Sequence, residues 1–354
     1  MNKSKLTLVI DGNWLLMSRL CVLGKRYATV EQLSKDLQLL MVRSIKVTLK
    51  LFPNIDNVIF VTDGGSWRNY ESDIPKFLKE NGIEYKGNRS HESDIDLDVI
   101  FKGYEDFINL LSENGITVSR EKMVEGDDWC LYWSKYLNNI GTNVIIWSKD
   151  KDLTQLVNTY DNGVFTVFWN KENGLTCKSS NEDELDFLMR AFSDSNQLTN
   201  NKLFESVCQK SKIINKINPT DVVLEKIIRG DLGDNILPIL TKKSQNANSG
   251  RTYKISVKDI DYDLDPFDND AVKKYINKIC NQKQYLNRAN NKSEKDIYEH
   301  FIYNRKLVAL DKRNIPESIK EKMEKSKLNI CKDFSNIESM LKIKSNDISI
   351  LDEI

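Results

Sequence analysis

The sequence predicts an α/β protein, with a central, mainly parallel sheet flanked by helices and a C-terminal helical region after it. Three observations predict this. Leu6–Thr7–Leu8–Val9–Ile10, Val58–Ile59–Phe60–Val61 and Val144–Ile145–Ile146–Trp147 are short unbroken apolar runs, the pattern of strands buried on both faces. Between the first two, apolar residues recur at helical spacing through Leu33, Leu37, Leu40, Ile45 and Leu49, as a crossover helix requires. Each run ends in a turn bearing an aspartate: Asp11–Gly12, Asp63–Gly64–Gly65 and Ser148–Lys149–Asp150. Ligands of parallel sheets bind at the carboxyl ends of the strands.

The core is expected over residues 1–165, interrupted at about 66–103 by a polar, partly helical excursion that contains Pro75, Gly82 and Gly87. Residues 166–341 read as a helical region, with helices at 181–215, at 221–229 and from Asp270 onward, and 342–354 as a tail. Inside that region Lys242–Lys258 holds five basic residues and no acidic one, and reads as an exposed loop. The segment Asp259–Asp270, with six aspartates, follows it.

Composition narrows the function. With 354 residues, 40 % hydrophobic and 29 % charged, the chain can bury a sizeable core. Its 52 basic and 52 acidic residues cancel, so attraction to a polyanion must come from local segregation of charge. No 18-residue window is free of charge, which argues against a membrane span. The apolar run near the start is too short for a secretory signal. Six scattered cysteines with no CxxC read as reduced, mostly buried thiols of a cytoplasmic protein. Two histidines, His91 and His300, leave little room for histidine-based metal sites or a Ser-His-Asp triad. The chemistry is expected to run on carboxylates.

Those carboxylates are grouped. Asp11, Asp63, the cluster Glu125–Gly126–Asp127–Asp128, the pair Asp150–Lys151–Asp152 and the pair Asp231–Leu232–Gly233–Asp234 stand at strand ends or helix starts. Taken singly, Asp11 or Asp63 reads equally well as a helix cap. Together they repel one another unless cations neutralise them, and an all-oxygen donor set suits Mg²⁺ or Mn²⁺. Two such ions would support phosphodiester cleavage.

The segments VIDGNW (9–14), VTDGG (61–65), EYKGNR (84–89), VEGDDW (124–129), SKDKDLTQL (148–156) and RGDLGDNI (229–236) occur in this order. Together they resemble the 5′ nuclease (flap-endonuclease-like) family, whose core is PIN-like. The stretch Tyr303–Leu307 … Asp311 … Ile315–Pro316 resembles the end of that core, so the likeness spans about residues 6–320. Within the family it is nearest to the ribonuclease H branch of the T-even phages. The resemblance implies a 5′–3′ exonuclease or flap endonuclease that removes RNA primers, flaps or 5′ ends in replication or repair. Its cofactor would be two Mg²⁺ ions, with Mn²⁺ an alternative. Its metal set would be Asp11, Asp63, Glu125, Asp127, Asp150, Asp152 and Asp234, with Asp128 and Asp231 in support. Partners would be DNA with a 5′ flap, a nick or an RNA primer, and RNA–DNA hybrid. A single-strand-binding protein or a sliding clamp is a further candidate partner, and no membrane is involved.

The resemblance assigns Lys86 and Arg89 to the scissile phosphate, Tyr85 to stacking on an unpaired base, and Arg68 to nucleic-acid binding. Without the surrounding motifs, residues 85–89 would read as a solvated turn. Two departures stand out. The stretch from Arg68 to Tyr85 is longer than the family shows, which bears on the length of the arch. After Asp234 the chain lacks the glycine-rich helix–hairpin–helix turn that in most relatives binds duplex and potassium. Duplex binding falls instead to Lys242, Lys243, Arg251, Lys254 and Lys258, unless that loop is only solvated. A PIN-type ribonuclease and a non-catalytic nucleic-acid adaptor of the same fold are the rival readings. A phosphatase with Asp11 as nucleophile would want an acid near position 13, where Asn13 stands. Asp94–Asp96–Asp98 and Asp259–Asp261–Asp263 have the spacing of a calcium loop but no glycine at its sixth position, and no P-loop motif is present.

Overall fold

In the computed structural model the three apolar runs are strands. It describes residues 5–23, 29–52, 55–70, 74–80, 82–88, 96–160, 163–170, 172, 174–178, 215–241, 254–285 and 292–329. The strands are β1 (Leu6–Asp11), β2 (Asn57–Val61), β3 (Thr117–Ser119), β4 (Asn143–Trp147), β5 (Asn158–Thr159), β6 (Phe165–Asn170), β7 (Gly174–Lys178) and β8 (Asn215–Ile217). The helices are α1 (Gly12–Leu23), α2 (Val30–Leu51), α3 (Lys76–Glu80), α4 (Leu97–Glu113), α5 (Gly126–Asn139), α6 (Pro219–Arg229), α7 (Asn269–Cys280), α8 (Glu294–Val308) and α9 (Glu317–Glu324).

The sheet runs β3-β2-β1-β4-β6-β7-β8, with β5 paired to β6. β1 lies between β2 and β4, parallel to both, with Val9 opposite Ile59 on one side and Ile146 on the other. Only β6 makes antiparallel pairs among these strands, with β5 and β7. The chain leaves β1 towards β2 and β3, then returns to its other side for β4 and β6. That reversal opens a crevice at the carboxyl end of β1, the usual ligand site of such sheets.

The chain packs as two units. The first comprises residues 1–65, 92–217 and 317–354, and the second residues 66–91 and 218–316. In the first, β1, β2 and β4 are buried along their whole length because helices cover the sheet. α2 buries Leu33, Leu37, Leu40 and Ile45, the predicted stripe, and starts where Thr29 caps the Gln32 amide. Asp96 caps α4, whose Phe107 ring meets Phe60 at 5.8 Å.

In the second unit, α7 buries Val272, Tyr275, Ile276 and Ile279 at helical spacing. These residues share one core with Leu224, Ile227 and Ile228 of α6 and with Ile297 and Phe301 of α8. A capping box of Ser293 and Asp296 starts α8.

These observations differ from the boundaries read in the sequence. The sheet does not stop at 165, because β6 begins there and β7 and β8 carry it to Ile217. Residues 66–91 group with 218–316, while α4 returns to the first unit. The helix expected at 221–229 is α6. Most of the one expected at 181–215, and the whole of the tail expected at 342–354, lie outside the described residues. No helix among the described residues is long and apolar enough to cross a membrane.

Gly12 stands where α1 begins directly after β1. A Cβ there would lie 2.3 Å from the Phe60 ring and 2.5 Å from the Tyr104 hydroxyl. Gly12→Ala is therefore expected to lose about 1–3 kcal/mol in urea unfolding, the usual cost of overpacking. No loss would show that the ring moves aside freely.

Candidate metal centre

The carboxyl end of β1 delivers Asp11, buried, into the crevice. Its Oδ1 accepts the Trp14 amide at 3.0 Å, which turns the chain into α1, and its Oδ2 accepts the Ser148 hydroxyl at 2.7 Å. Asp63, past the end of β2, is exposed and held on both oxygens. Asn13 Nδ2 donates to Oδ2 at 2.7 Å and the Gly126 amide donates to Oδ1 at 2.5 Å. Asn13 is fixed in turn, since its Oδ1 accepts the Thr62 hydroxyl and the Asp63 amide. Tyr104 donates to Thr62 at 3.0 Å. Just past β4, Ser148 accepts the Asp150 amide on its hydroxyl oxygen at 3.0 Å, and Asp150 Oδ1 accepts the Asp152 amide at 2.9 Å.

The fourth segment is the start of α5, with Glu125 at the N-cap and Asp127 and Asp128 in the first turn. Negative charge there is favoured by the helix dipole. Asp128 is fully buried and accepts the Glu125 amide as the partner in a capping box. It serves the helix start.

The charges of these segments reach one another. Burial raises the Asp11 carboxyl to about 6, against the hydrogen bonds of Trp14 and Ser148 and with the charges of Asp63 and Asp150. The Cys130 thiol, buried in α5, is pushed up by burial and then by Asp11, Asp127, Asp63 and Asp150. One buried atom thus feels carboxylates from β1, β2, β4 and α5.

In the second unit, Gly230 ends α6 with φ +70, and a Cβ there would lie 2.3 Å from the Ile236 carbonyl. Asp231 and Ile236 exchange backbone hydrogen bonds at 2.8 and 2.7 Å, closing a loop that presents Asp234. Burial raises the Asp231 carboxyl, but the Lys226 hydrogen bond and charge and the Gly233 and Asp234 amides outweigh it and hold it below the ordinary value. Lys226 sits on Asp231 Oδ2 and the Gly233 amide on Oδ1, so Asp231 supports the loop. The Lys86 amide donates to the Asp234 carbonyl at 2.8 Å, and the Lys86 ammonium lies 4.8 Å over the Tyr85 ring.

Arg68 is buried, with its guanidinium over Trp67 and its Nε donating to the Leu307 carbonyl at 3.0 Å. Its Nε hydrogen bond ties the turn after β2 to the end of α8 within the second unit. Tyr85 is half-buried and packs beside the apolar core of that unit, which narrows the ring face left for a base. Arg89, Lys242, Lys243 and Arg251 lie outside the described residues, and Lys254 and Lys258 are exposed. His300 is buried; burial and then the Lys292 charge hold its imidazole well below its ordinary value.

Sequence reasoning missed Asn13 as the partner of Asp63, having noted it only for the acid it is not. It also missed Ser148, although that residue stands within the SKDKD segment. A polar side chain one or two residues from a strand-end acid was the available signal.

Among the described residues, no three acidic, histidine or cysteine side chains stand close enough to hold one ion as they are placed. The donors still suit Mg²⁺, which binds through one or two carboxylates and keeps several waters. The residues therefore fit hydrated hard cations.

No family model matches the sequence, and no curated protein does. Solved structures match. A crystal structure of the D15 protein of bacteriophage T5, co-crystallised with metal ions, aligns with 94 % of this chain and 100 % of that one, at 18 % identity and a TM-score of 0.52. The T5 5′-exonuclease with divalent zinc ions bound aligns with 95 % of this chain and 100 % of that one, at 14 % identity and a TM-score of 0.50. At these identities the likeness establishes the fold, which this chain shares with the T5 proteins.

The raised Asp11 sets a pH dependence. The folded state binds this proton more tightly than the unfolded chain, whose carboxyl titrates at the ordinary 3.8. Ionised Asp11 therefore costs stability above about pH 6, and the cost fades as pH falls towards about 4. Asp11→Asn retains an oxygen for Trp14 and gains a donor for Ser148. In EDTA it should melt above wild type at about pH 7.5, with the gap closing near about pH 4. An equal or lower melting point at the higher pH would contradict this.

Proposed function

We propose that this chain is a metal-dependent 5′ nuclease, a 5′–3′ exonuclease or structure-specific flap endonuclease acting on branched or nicked DNA. The observation that carries the proposal is the placing of carboxylates at the ends of three adjacent parallel strands, where burial first, and then the charges of Asp63 and Asp150, raise Asp11. The six ordered motifs support it, and so does the fold shared with the T5 5′-exonuclease, which binds divalent ions.

Asp11, Asp63, Glu125, Asp127, Asp150 and Asp152 would hold the ions directly or through water, and Asp234 has the same task by resemblance. When bound, two Mg²⁺ ions would supply an activated water and neutralise charge at the leaving oxygen, with Mn²⁺ as a substitute. Asn13 and the Gly126 amide keep Asp63 aimed, and Ser148 keeps Asp11 aimed. Lys86, seated over Tyr85, would stabilise the scissile phosphate. Likeness to the ribonuclease H branch of the T-even phages extends the proposed substrates to RNA primers and RNA–DNA hybrid.

The test presents end-labelled flap, nicked, RNA-primed and single-stranded substrates to one preparation, in Mg²⁺ and in EDTA. Short 5′ products from flap and nicked DNA in Mg²⁺ alone are expected. Equal cleavage in EDTA would overturn the reading, and cleavage confined to single-stranded RNA would favour a PIN-type ribonuclease.

Asp152→Asn removes one ligand charge and also some repulsion of the DNA backbone. It should lose nearly all cleavage in Mg²⁺ yet bind flap DNA in EDTA at least as well as wild type. Full cleavage by this variant would remove Asp152 from the site. Lys86→Ala should slow flap cleavage by about one to three orders of magnitude, the range for one lost electrostatic donor. An unchanged rate would remove Lys86.

A further inference from the structure

Two turns of the second unit, far apart in sequence, are laced together by three hydrogen bonds. The Lys86 amide donates to the Asp234 carbonyl at 2.8 Å. Asn235 Nδ2 donates to the Glu84 carbonyl at 2.8 Å, and Asn88 Nδ2 donates to the Leu232 carbonyl at 2.8 Å. The first turn carries Lys86 and the second carries Asp234. Asn235 is the buried member of the lacing, whereas Asn88 is exposed.

Both turns hold a non-glycine residue in the left-handed region, Lys86 at φ 57 and Asn235 at φ 59. Asparagine tolerates this conformation far better than lysine, so Lys86 keeps it only while its surroundings impose it. The acidic turn is rigid on both flanks. Gly230 and the Asp231–Ile236 bridge close it, and buried Asn304 donates at 2.8 Å to both Ile227 and Leu237, just outside it. The basic turn is held differently. Tyr85 packs beside the core, and the lacing ties the turn to the acidic loop at Glu84, Lys86 and Asn88.

We infer that Asn235 is the positioning residue for Lys86: its amide ties the basic turn to the Asp234 loop, so that the lysine and the acid are presented as one rigid piece. The inference rests on the nuclease reading for its effect on turnover, while the tie itself is structural and can be measured separately.

Two variants remove the same hydrogen bond in different ways. Asn235→Asp keeps size and tolerance of positive φ but sets an oxygen against the Glu84 carbonyl. Asn235→Gly accepts positive φ freely and removes the side chain. In both, amide exchange of residues 84–88 followed by mass spectrometry should speed up, whether or not the protein cleaves anything. Single-turnover cleavage of a flap substrate in Mg²⁺ should fall about 10- to 100-fold, as for a catalytic group displaced by about an ångström. For Asn235→Gly the dissociation constant for the flap in EDTA should stay within about two-fold of wild type, because this variant leaves the phosphate-facing charges in place, whereas Asn235→Asp adds a negative charge and should bind the flap more weakly. Because the loss acts through Lys86, adding the uncharged Asn235→Gly to Lys86→Ala should cost less than about three-fold more.

Equal losses in the wild-type and Lys86→Ala backgrounds would overturn the positioning role, as would unchanged exchange at 84–88. A wild type that fails to cleave in Mg²⁺ would overturn the nuclease reading and the turnover claim with it. That failure needs no variant to be seen, so the two are distinguishable.

Discussion

Like charges confined to one place repel, and the topology of this sheet allows the acids no other place. β1 is central, its neighbours β2 and β4 run parallel to it, and all three end on the same edge. Any acid that follows these strands arrives at the crevice where the strand order reverses. Asp11, Asp63 and Asp150 do, and Asp11 rises to about 6 under burial and the charges of the other two. A fold keeps such a cluster when something else neutralises it, and hydrated divalent cations are the partners that an all-oxygen set selects.

Around that constraint the remaining polar groups act as fixtures. Asn13, Ser148 and the Gly126 amide use their hydrogen bonds to aim acids instead of cancelling them. Asp128 and Asp231 have a different part. The first is consumed by the start of α5 and the second by Lys226 and the Gly233 amide. Hydrogen bonding shows what these two acids are committed to in the fold, which residue type alone does not.

Much of this was legible in the sequence because buried parallel strands write themselves as apolar runs. Leu6–Ile10, Val58–Val61 and Val144–Trp147 could be read directly, and the acids at their ends followed. β3 and β8, three residues each, were too short to show a period. β6 was cut off by a boundary placed at its first residue. The burial of Arg68 was not legible, because a motif gives residue type and neighbours but not burial, and its carbonyl partner Leu307 lies 239 residues away. Asn13 and Asn235 were hidden for a related reason, since an asparagine beside an aspartate carries no sign of which chain segment its amide will reach.

The central claim is that the acids at the ends of β1, β2 and β4 exist to hold divalent cations. Anomalous diffraction from a crystal of the wild-type protein grown with Mn²⁺ measures this directly. The account predicts at least one strong peak about 2 Å from carboxylate oxygens of this group, Asp11 among the residues facing it, with water completing the shell. Manganese peaks only elsewhere on the molecule, with the Asp11 crevice empty at saturating metal, would contradict it.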